Sequence, residues 1–234
     1  MRRLPGRRPR GAAPAAGAAL YARAALPPAW TPWREASWCA LDFELSGLHP
    51  RRDEIISFGV VPIEAGRIQL REATSGLVRP TRTMSDTSIM VHGIRAIDLA
   101  DAPPLDEALA PLLTAITGRV LVVHTEAVER PFLGRALRKQ GLALRGPVID
   151  VEVLGALWLH ERDGQLRHAW PLAELAGALG LPAERPHVAI GDALTTAQVF
   201  IALAAHLDAA APQTVGSLAR ARRRLASLRV FHSG

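Results

Sequence analysis

Cysteine is nearly absent from this sequence, since Cys39 is the only one in 234 residues. A single thiol excludes an intramolecular disulfide framework and a Cys-rich zinc site. The sequence also lacks an uninterrupted run of the roughly 18 apolar residues that a membrane-spanning helix needs. We therefore expect a cytoplasmic protein with no membrane partner.

Acidic residues are absent from both ends of the chain. Residues 1–30 contain six arginines and residues 209–234 contain five, yet the formal net charge of the whole chain is only +6. The region 31–208 is therefore net acidic. The basic ends could attract a polyanion such as nucleic acid, or they could be solvated tails, and composition favours neither.

Three parts can be distinguished along the chain. Residues 1–35 form a basic low-complexity leader in which prolines interrupt any long helix, and residues 36–208 form one globular domain. Residues 209–234 form a basic tail with the leucine spacing of a short amphipathic helix. This tail could fold back on the domain, contact nucleic acid or bind a partner.

The domain is predicted to have an α/β fold with a mixed central sheet flanked by helices. Three strands come first, joined in part by a turn at Ala65-Gly66, and they are expected to be antiparallel. Short apolar strands then alternate with helices, which is typical of parallel pairing. The expected strands cover residues 37–45, 51–64, 66–80, 119–125 and 147–150, and the expected longer helices cover residues 105–116, 126–140, 151–160, 171–179 and 189–207.

Asp42 and Glu44 stand near the end of the first predicted strand. Side chains alternate across a strand, so these two carboxylates project from the same face and Phe43 points away. Neighbouring carboxylates repel each other unless a proton or a cation intervenes, and Mg²⁺ and Mn²⁺ prefer oxygen ligands. Taken alone, this pair is more often a solvated strand end than a metal site.

Glu129 and Asp192 each stand at the head of a predicted helix whose following turns are apolar on the same face. Either acid could simply complement the helix dipole, but an acid at the edge of the core is costly when unpaired. His187 lies in the loop before Asp192, and an imidazole that titrates near neutrality can take a proton from water. A lone loop histidine is usually only solvated.

The combination of four carboxylates and one histidine is more specific than any member of it. Two divalent ions about 3.5–4 Å apart can stabilise the attacking and the leaving oxygen of an in-line phosphoryl displacement. We therefore expect two Mg²⁺ or Mn²⁺ ions per active site, with His187 as the general base. The expected metal ligands are Asp42, Glu44, Glu129 and Asp192.

Four segments of the chain, in this order, resemble the motifs of the DnaQ-like (DEDDh) 3′→5′ exonucleases: LDFELSGL, VHGI, HTEAVERPFL and HVAIGDA. This family belongs to the ribonuclease H-like fold and includes the proofreading epsilon subunit of bacterial DNA polymerase III. The resemblance spans residues 38–207. It implies the fold and the catalytic roles above, a structural role for Asp150, and substrate contacts by Leu45, Ser46, His92, Gly93 and Ile94.

The second motif departs from the family pattern, which commonly is H-N-A-x-F-D. Glu129 stands where the family has the metal-binding Asp, and it is longer by one methylene group, although it can still bind a metal. Thr125 stands where the family has Asn. In the first motif, Leu45 and Ser46 replace the usual Thr-Thr or Thr-Gly.

The expected function is a 3′→5′ exonuclease that releases mononucleotides from the single-stranded 3′ ends of DNA. One alternative is an exoribonuclease that trims RNA ends, and another is a nucleic-acid or partner-binding module weakened in catalysis by the change at Glu129. A polymerase partner is possible, but the short segment after the domain favours a free-standing or accessory nuclease.

Overall fold

The computed structural model describes residues 12–167 and 169–231, so the first eleven residues of the leader and the last three of the tail lie outside it. The strands are β1 (Trp38–Leu45), β2 (Ile55–Glu64), β3 (Arg67–Ile68), β4 (Thr74–Leu77), β5 (Val120–Val123) and β6 (Val148–Asp150). The α-helices are α1 (Ala12–Arg23), α2 (Asp86–His92), α3 (Leu105–Ile116), α4 (Glu126–Lys139), α5 (Val151–Asp163), α6 (Leu172–Ala178), α7 (Ala189–Ala210), α8 (Val215–Ala219) and α9 (Ala221–Phe231). Two 3₁₀ helices cover Leu70–Glu72 and Ala96–Leu99.

The strands form one mixed sheet in the order β3-β2-β1-β5-β6, with β4 also paired to β2. The pairs that involve β2 are antiparallel, whereas β1 pairs with β5, and β5 with β6, in parallel. Helical crossovers supply the connections that parallel pairing requires. The predicted mixed sheet flanked by helices is therefore confirmed.

The predicted third strand over residues 66–80 is wrong in one respect, because it is split into β3 and β4. The 3₁₀ helix Leu70–Glu72 separates the two pieces and buries none of its residues. Its polar sequence offers no apolar alternation to bury, and Glu72 instead accepts a hydrogen bond from Arg119 at 2.9 Å. Ala65 and Gly66 form the predicted turn, with φ values of 51° and 68°.

The alternation of side chains along β1 decides where the acids point. Trp38 and Ala40 face the hydrophobic layer formed with α5, α6 and α7, whereas Leu41 faces the layer formed with α3 and α4. With a period of two, Asp42 and Glu44 continue the row that begins at Trp38 and Ala40. Both acids therefore lie on the face of the sheet that α7 covers.

Segments on either side of the domain pack against it. Tyr21 of α1 and Trp33 are 5% and 1% exposed, respectively. The backbone N–H of Trp33 donates to the carbonyl of Gln213 at 3.1 Å, and the N–H of Val215 donates to the carbonyl of Thr31 at 3.0 Å. Parts of the leader and of the tail therefore complete the core.

Helix α7 is long and apolar enough to cross a membrane by length and composition alone. Half of its most apolar window is buried inside the protein, and the helix packs against β1, β2, α5 and α6. This burial is typical of a core helix in a globular domain.

Candidate active site

Three carboxylates from two elements meet at the face of β1 that α7 covers. Oxygen atoms of Asp42, Glu44 and Asp192 lie within 4.8 Å of one another. Asp42 pairs with Gly59 of β2, and a Cβ atom at Gly59 would lie only 2.2 Å from the carbonyl oxygen of Ala189. The missing side chain thus lets the first turn of α7 approach the sheet and bring Asp192 to the acids of β1.

Asp192 also organises the loop that carries the predicted general base. Its Oδ2 atom accepts a hydrogen bond from the backbone N–H of His187 at 2.7 Å, and His187 has a left-handed φ of 61°. The His187 side chain is exposed and borders a cavity of about 430 Å³. The other residues that line this cavity are Leu77, Met90, Val91, His92, Gly93, Ile94, Asp98, Arg185, Pro186 and Val188.

Glu129 supplies a fourth carboxylate from the first turn of α4. It is 4% exposed, its backbone N–H donates to the carbonyl of Thr125 at 3.1 Å, and its charge raises the pKa of Asp42. Its Oε2 atom is buried and has no hydrogen-bond partner among the described residues. The carboxylate of Glu129 therefore lies close enough to Asp42 to interact with it electrostatically, although its side chain is longer than that of Asp.

The electrostatics of this cluster disfavour negative charge when no cation is present. Burial, followed by repulsion from Glu129, Asp192 and Glu44, raises the pKa of Asp42 well above its ordinary value. Burial and the charge of Asp192 raise the pKa of Glu44 to about 7. Burial raises the pKa of Glu129 to about 8, with a smaller contribution from Asp150.

This donor set fits a divalent cation. Buried carboxylates with raised pKa values gain most from a positive charge beside them, and hard cations such as Mg²⁺ and Mn²⁺ take oxygen ligands. The Oε2 atom of Glu129 is buried without a hydrogen-bond partner among the described residues, and a bound cation would supply one.

The five residues predicted to contact substrate lie in two places. Leu45 and Ser46 directly follow Glu44, where Leu45 is buried and the Ser46 hydroxyl accepts a hydrogen bond from the N–H of Glu54 at 2.9 Å. His92 ends α2, Gly93 follows with a left-handed φ of 74°, and the N–H of Ile94 donates to Nδ1 of His92 at 3.0 Å.

His92 lies close to His187, so the second of these places adjoins the predicted general base. Burial lowers the pKa of His92, and the charge of His187 lowers it further. The structure therefore brings the VHGI segment to the cavity beside His187.

Two residues near the site received no role from the sequence. His124 belongs to the second motif, and its Nε2 atom lies 2.7 Å from the carbonyl oxygen of Trp170. Burial raises the pKa of Asp192, and His187 and, to a smaller extent, His124 partly offset that rise. Arg222 of α9 contacts Asp150 at 2.9 Å. The motif contains a signal for His124, but no sequence pattern links Arg222 to Asp150.

Comparison with known proteins agrees with this geometry. The family model described as exonuclease (RNase_T) matches residues 39–200, which contain all the acids of the site and His187. The chain belongs to this exonuclease family. The resemblance to DnaQ-like exonucleases is confirmed.

Curated members of the exonuclease family that resemble the chain include polymerase proteins. An epsilon-like protein of DNA polymerase III from Rhodobacter capsulatus is 32% identical over 191 residues, which cover 80% of this chain and 26% of that protein. A PolC-type DNA polymerase III from Thermotoga maritima is 33% identical over 168 residues, which cover 71% of this chain and 12% of that protein. The chain thus spans about a quarter or less of the length of these relatives.

Solved exonuclease structures share the fold at low sequence identity. Exonuclease X in complex with 5′ overhanging duplex DNA has a TM-score of 0.60 and 20% identity, and the match covers 79% of this chain and 98% of that chain. The nuclease domain of 3′hExo, a DEDDh family member bound to rAMP, has a TM-score of 0.58 and 20% identity, with coverages of 70% and 90%. The ribonuclease H-like fold is confirmed.

Proposed function

We propose that the chain is a metal-dependent 3′→5′ exonuclease that hydrolyses phosphodiester bonds at nucleic-acid 3′ ends and releases mononucleotides. The observation that carries the proposal is the meeting of Asp42, Glu44 and Asp192 within 4.8 Å, with buried Glu129 in electrostatic contact. The membership of the chain in the exonuclease family and the cavity that His92 and His187 line also support the proposal.

Each residue of the site has a role in this proposal. Asp42, Glu44, Glu129 and Asp192 would hold two Mg²⁺ or Mn²⁺ ions, which supply Lewis acidity at the scissile phosphate. His187 takes the proton of the attacking water, and its hydrogen bond to Asp192 keeps the loop beside the acids. Leu45, Ser46 and the His92–Gly93–Ile94 segment are proposed to contact the terminal nucleotide.

DNA is the favoured substrate, with single-stranded 3′ ends preferred. The DNA polymerase III relatives support this choice. The neighbour with bound rAMP supports RNA 3′ ends as the second candidate substrate. We further propose that the chain acts in the cytoplasm as a free-standing or accessory nuclease; stable co-purification with a polymerase would contradict the free-standing role.

The test is a degradation assay with three 5′-labelled oligonucleotides of the same sequence: single-stranded DNA, duplex DNA and RNA. We expect stepwise shortening from the 3′ end of single-stranded DNA with Mg²⁺ or Mn²⁺, and none with a chelator or with Asp42→Asn. Faster shortening of RNA would favour the exoribonuclease. Binding without shortening under either metal would identify a binding module and contradict the enzyme.

A further inference from the structure

Arg222 of the C-terminal helix α9 spans the gap between α9 and two acids of the domain. Its Nη2 atom lies 2.9 Å from Oδ2 of Asp150 and 3.2 Å from Oε2 of Glu126. The Asp150 side chain is only 6% exposed. Arg222 also lines two neighbouring cavities of about 240 and 210 Å³, both of which Asp150 lines as well.

Asp150 already connects two elements before Arg222 is considered. It ends β6, and its Oδ1 atom caps α5 by accepting the N–H of Glu152 at 3.0 Å. Its Oδ2 atom accepts the N–H of Glu126, the first residue of α4, at 3.2 Å. The same oxygen therefore receives both the α4 N-terminus and Arg222.

The first turn of α4 also carries Glu129. Without Arg222, the carboxylates of Glu126, Glu129 and Asp150 would share the end of β6 and the start of α4. Among the described residues, the cation that would remain paired with them is Arg130, at 2.5 Å from Glu126. Like charges that close repel each other, and the charge of Asp150 acts directly on Glu129. A shift of this turn would move Glu129 relative to the acids of β1.

Helix α9 is held by contacts other than the Arg222 bridge. Ala221 and Leu225 are buried in the core layer beside α5 and α7, and Arg224 forms an ion pair with Glu161 of α5. The guanidinium of Arg222 is therefore presented from a docked helix, so its substitution can be separated from detachment of the tail.

We propose that Arg222 is a positioning residue for the metal site: by bridging Asp150 and Glu126, it fixes the first turn of α4 so that Glu129 completes the carboxylate set. This inference rests on the proposed function for its consequence in catalysis. Its direct consequence, the affinity for a divalent cation, does not require hydrolysis.

The experiment titrates Mn²⁺ into the full-length chain by calorimetry and measures 3′-end hydrolysis against Mn²⁺ concentration. Removal of an outer residue that orients a ligand typically weakens metal binding or activity by about 10- to 100-fold. We expect Arg222→Gln to weaken Mn²⁺ binding by at least about tenfold, and Arg222→Lys to recover most of it because a cation remains. Arg224→Gln is the matched control, since it removes an ion pair from the same helix on the side of Glu161.

A double substitution separates electrostatic positioning from loss of tail docking. In Glu126→Gln/Arg222→Gln one of the two charges that Arg222 compensated is gone, and Asp150 keeps both of its backbone hydrogen bonds, so we expect Mn²⁺ affinity closer to wild type than in Arg222→Gln alone. Equal affinity in Arg222→Gln and wild type, or equal losses in Arg222→Gln and Arg224→Gln, would overturn the inference. Mn²⁺ binding without hydrolysis in wild type would contradict only the proposed function, and no Mn²⁺ binding would contradict both.

Discussion

At the scale of single residues, the site depends on negative charges held where solvation is poor. Asp42, Glu44 and Glu129 are each less than 9% exposed, and burial is the main cause of their raised pKa values. These three carboxylates, next to the partly exposed Asp192, cost stability until a cation balances them. The residues that would perform the chemistry are thus also residues that destabilise the metal-free fold.

Substitution of Asp42 by Ala should abolish hydrolysis and leave the fold intact. The change removes one metal ligand and also relieves repulsion in the cluster, so the melting temperature of the metal-free chain should stay equal or rise. Nuclease assays and thermal unfolding with a chelator test both parts. Retained hydrolysis would show that Asp42 is not a ligand.

His187→Ala should lower the hydrolysis rate by about 10²–10⁴-fold, which is the usual effect of removing a general base. Because the contact to Asp192 uses the backbone N–H of His187, the loop should keep its hydrogen bond in the variant. His206→Gln is a suitable control, since this exposed histidine packs on Trp158 instead. A variant as fast as wild type would remove His187 from the mechanism.

At the scale of elements, the decisive contact is the close approach of α7 to β2 at Gly59. A methyl group there would meet the carbonyl of Ala189, and backbone cannot move aside as a flexible side chain can. We predict that Gly59→Ala destabilises the fold by roughly 1–3 kcal/mol and displaces Asp192. Residual activity per folded molecule should therefore fall as well.

The control for that substitution is Gly177→Ala in α6, where an added methyl group meets nothing within 4 Å. In a helix this change commonly stabilises by about 0.4–1 kcal/mol. Denaturant unfolding and Mg²⁺-dependent hydrolysis should be measured on both variants. Gly59→Ala with wild-type stability and activity would contradict the role given to this contact.

Elements with a strong internal pattern were predictable from the sequence. Helix α3 has the predicted bounds Leu105–Ile116, because its apolar spacing is regular and Gly118 ends it with a positive φ. The interruption between β3 and β4 was not predicted, because it covers only three residues, and its contact from Arg119 to Glu72 comes from 47 residues away. Pairing across such distances leaves no periodic signal.

The candidate site divides in the same way. The acids and His187 occur in ordered motifs, so their grouping could be predicted, although the roles of the individual residues stay predictions. Arg222 could not be predicted, because its partner Asp150 is 72 residues away and α9 has a generic basic pattern. The role of Gly59 could not be predicted either, since it depends on how closely α7 approaches β2.

At the scale of the whole molecule, the buried acids link stability to pH. The pKa values of Glu44 and Glu129, about 7 and about 8, lie above their ordinary value of 4.5. Between about pH 4.5 and about pH 8, the metal-free folded chain binds more protons than the unfolded chain, so its free energy of unfolding falls as pH rises. Metal ions compete with those protons and should restore stability at the alkaline end.

We therefore predict that Mn²⁺ raises the melting temperature more at about pH 8.5 than at about pH 6. Thermal unfolding with Mn²⁺ or with a chelator measures this difference, and Glu129→Gln should reduce it because one titrating ligand is gone. An equal effect of Mn²⁺ at both pH values would contradict the linkage.

The segment before residue 36 and the segment after residue 208 should both contribute to the stability of the folded chain. A chain reduced to residues 36–208 loses Trp33, which is 1% exposed and contacts the ring of Phe200. Loss of a buried tryptophan alone costs about 3–5 kcal/mol. We predict a much lower melting temperature for the reduced chain by calorimetry; an unchanged value would show that both segments are dispensable.

The hydrogen bonds between residues 29–33 and residues 213–216 also have a consequence for how the chain folds. These partners are separated by almost the whole domain, so the entropy of closing that loop opposes their early contact. We therefore expect the sheet to assemble first from nearer neighbours, and residues 29–33 to dock on residues 213–216 late in folding. In that order of folding, the layer around Phe200 would stay open to water until residues 29–33 dock, and self-association would compete with folding during that interval.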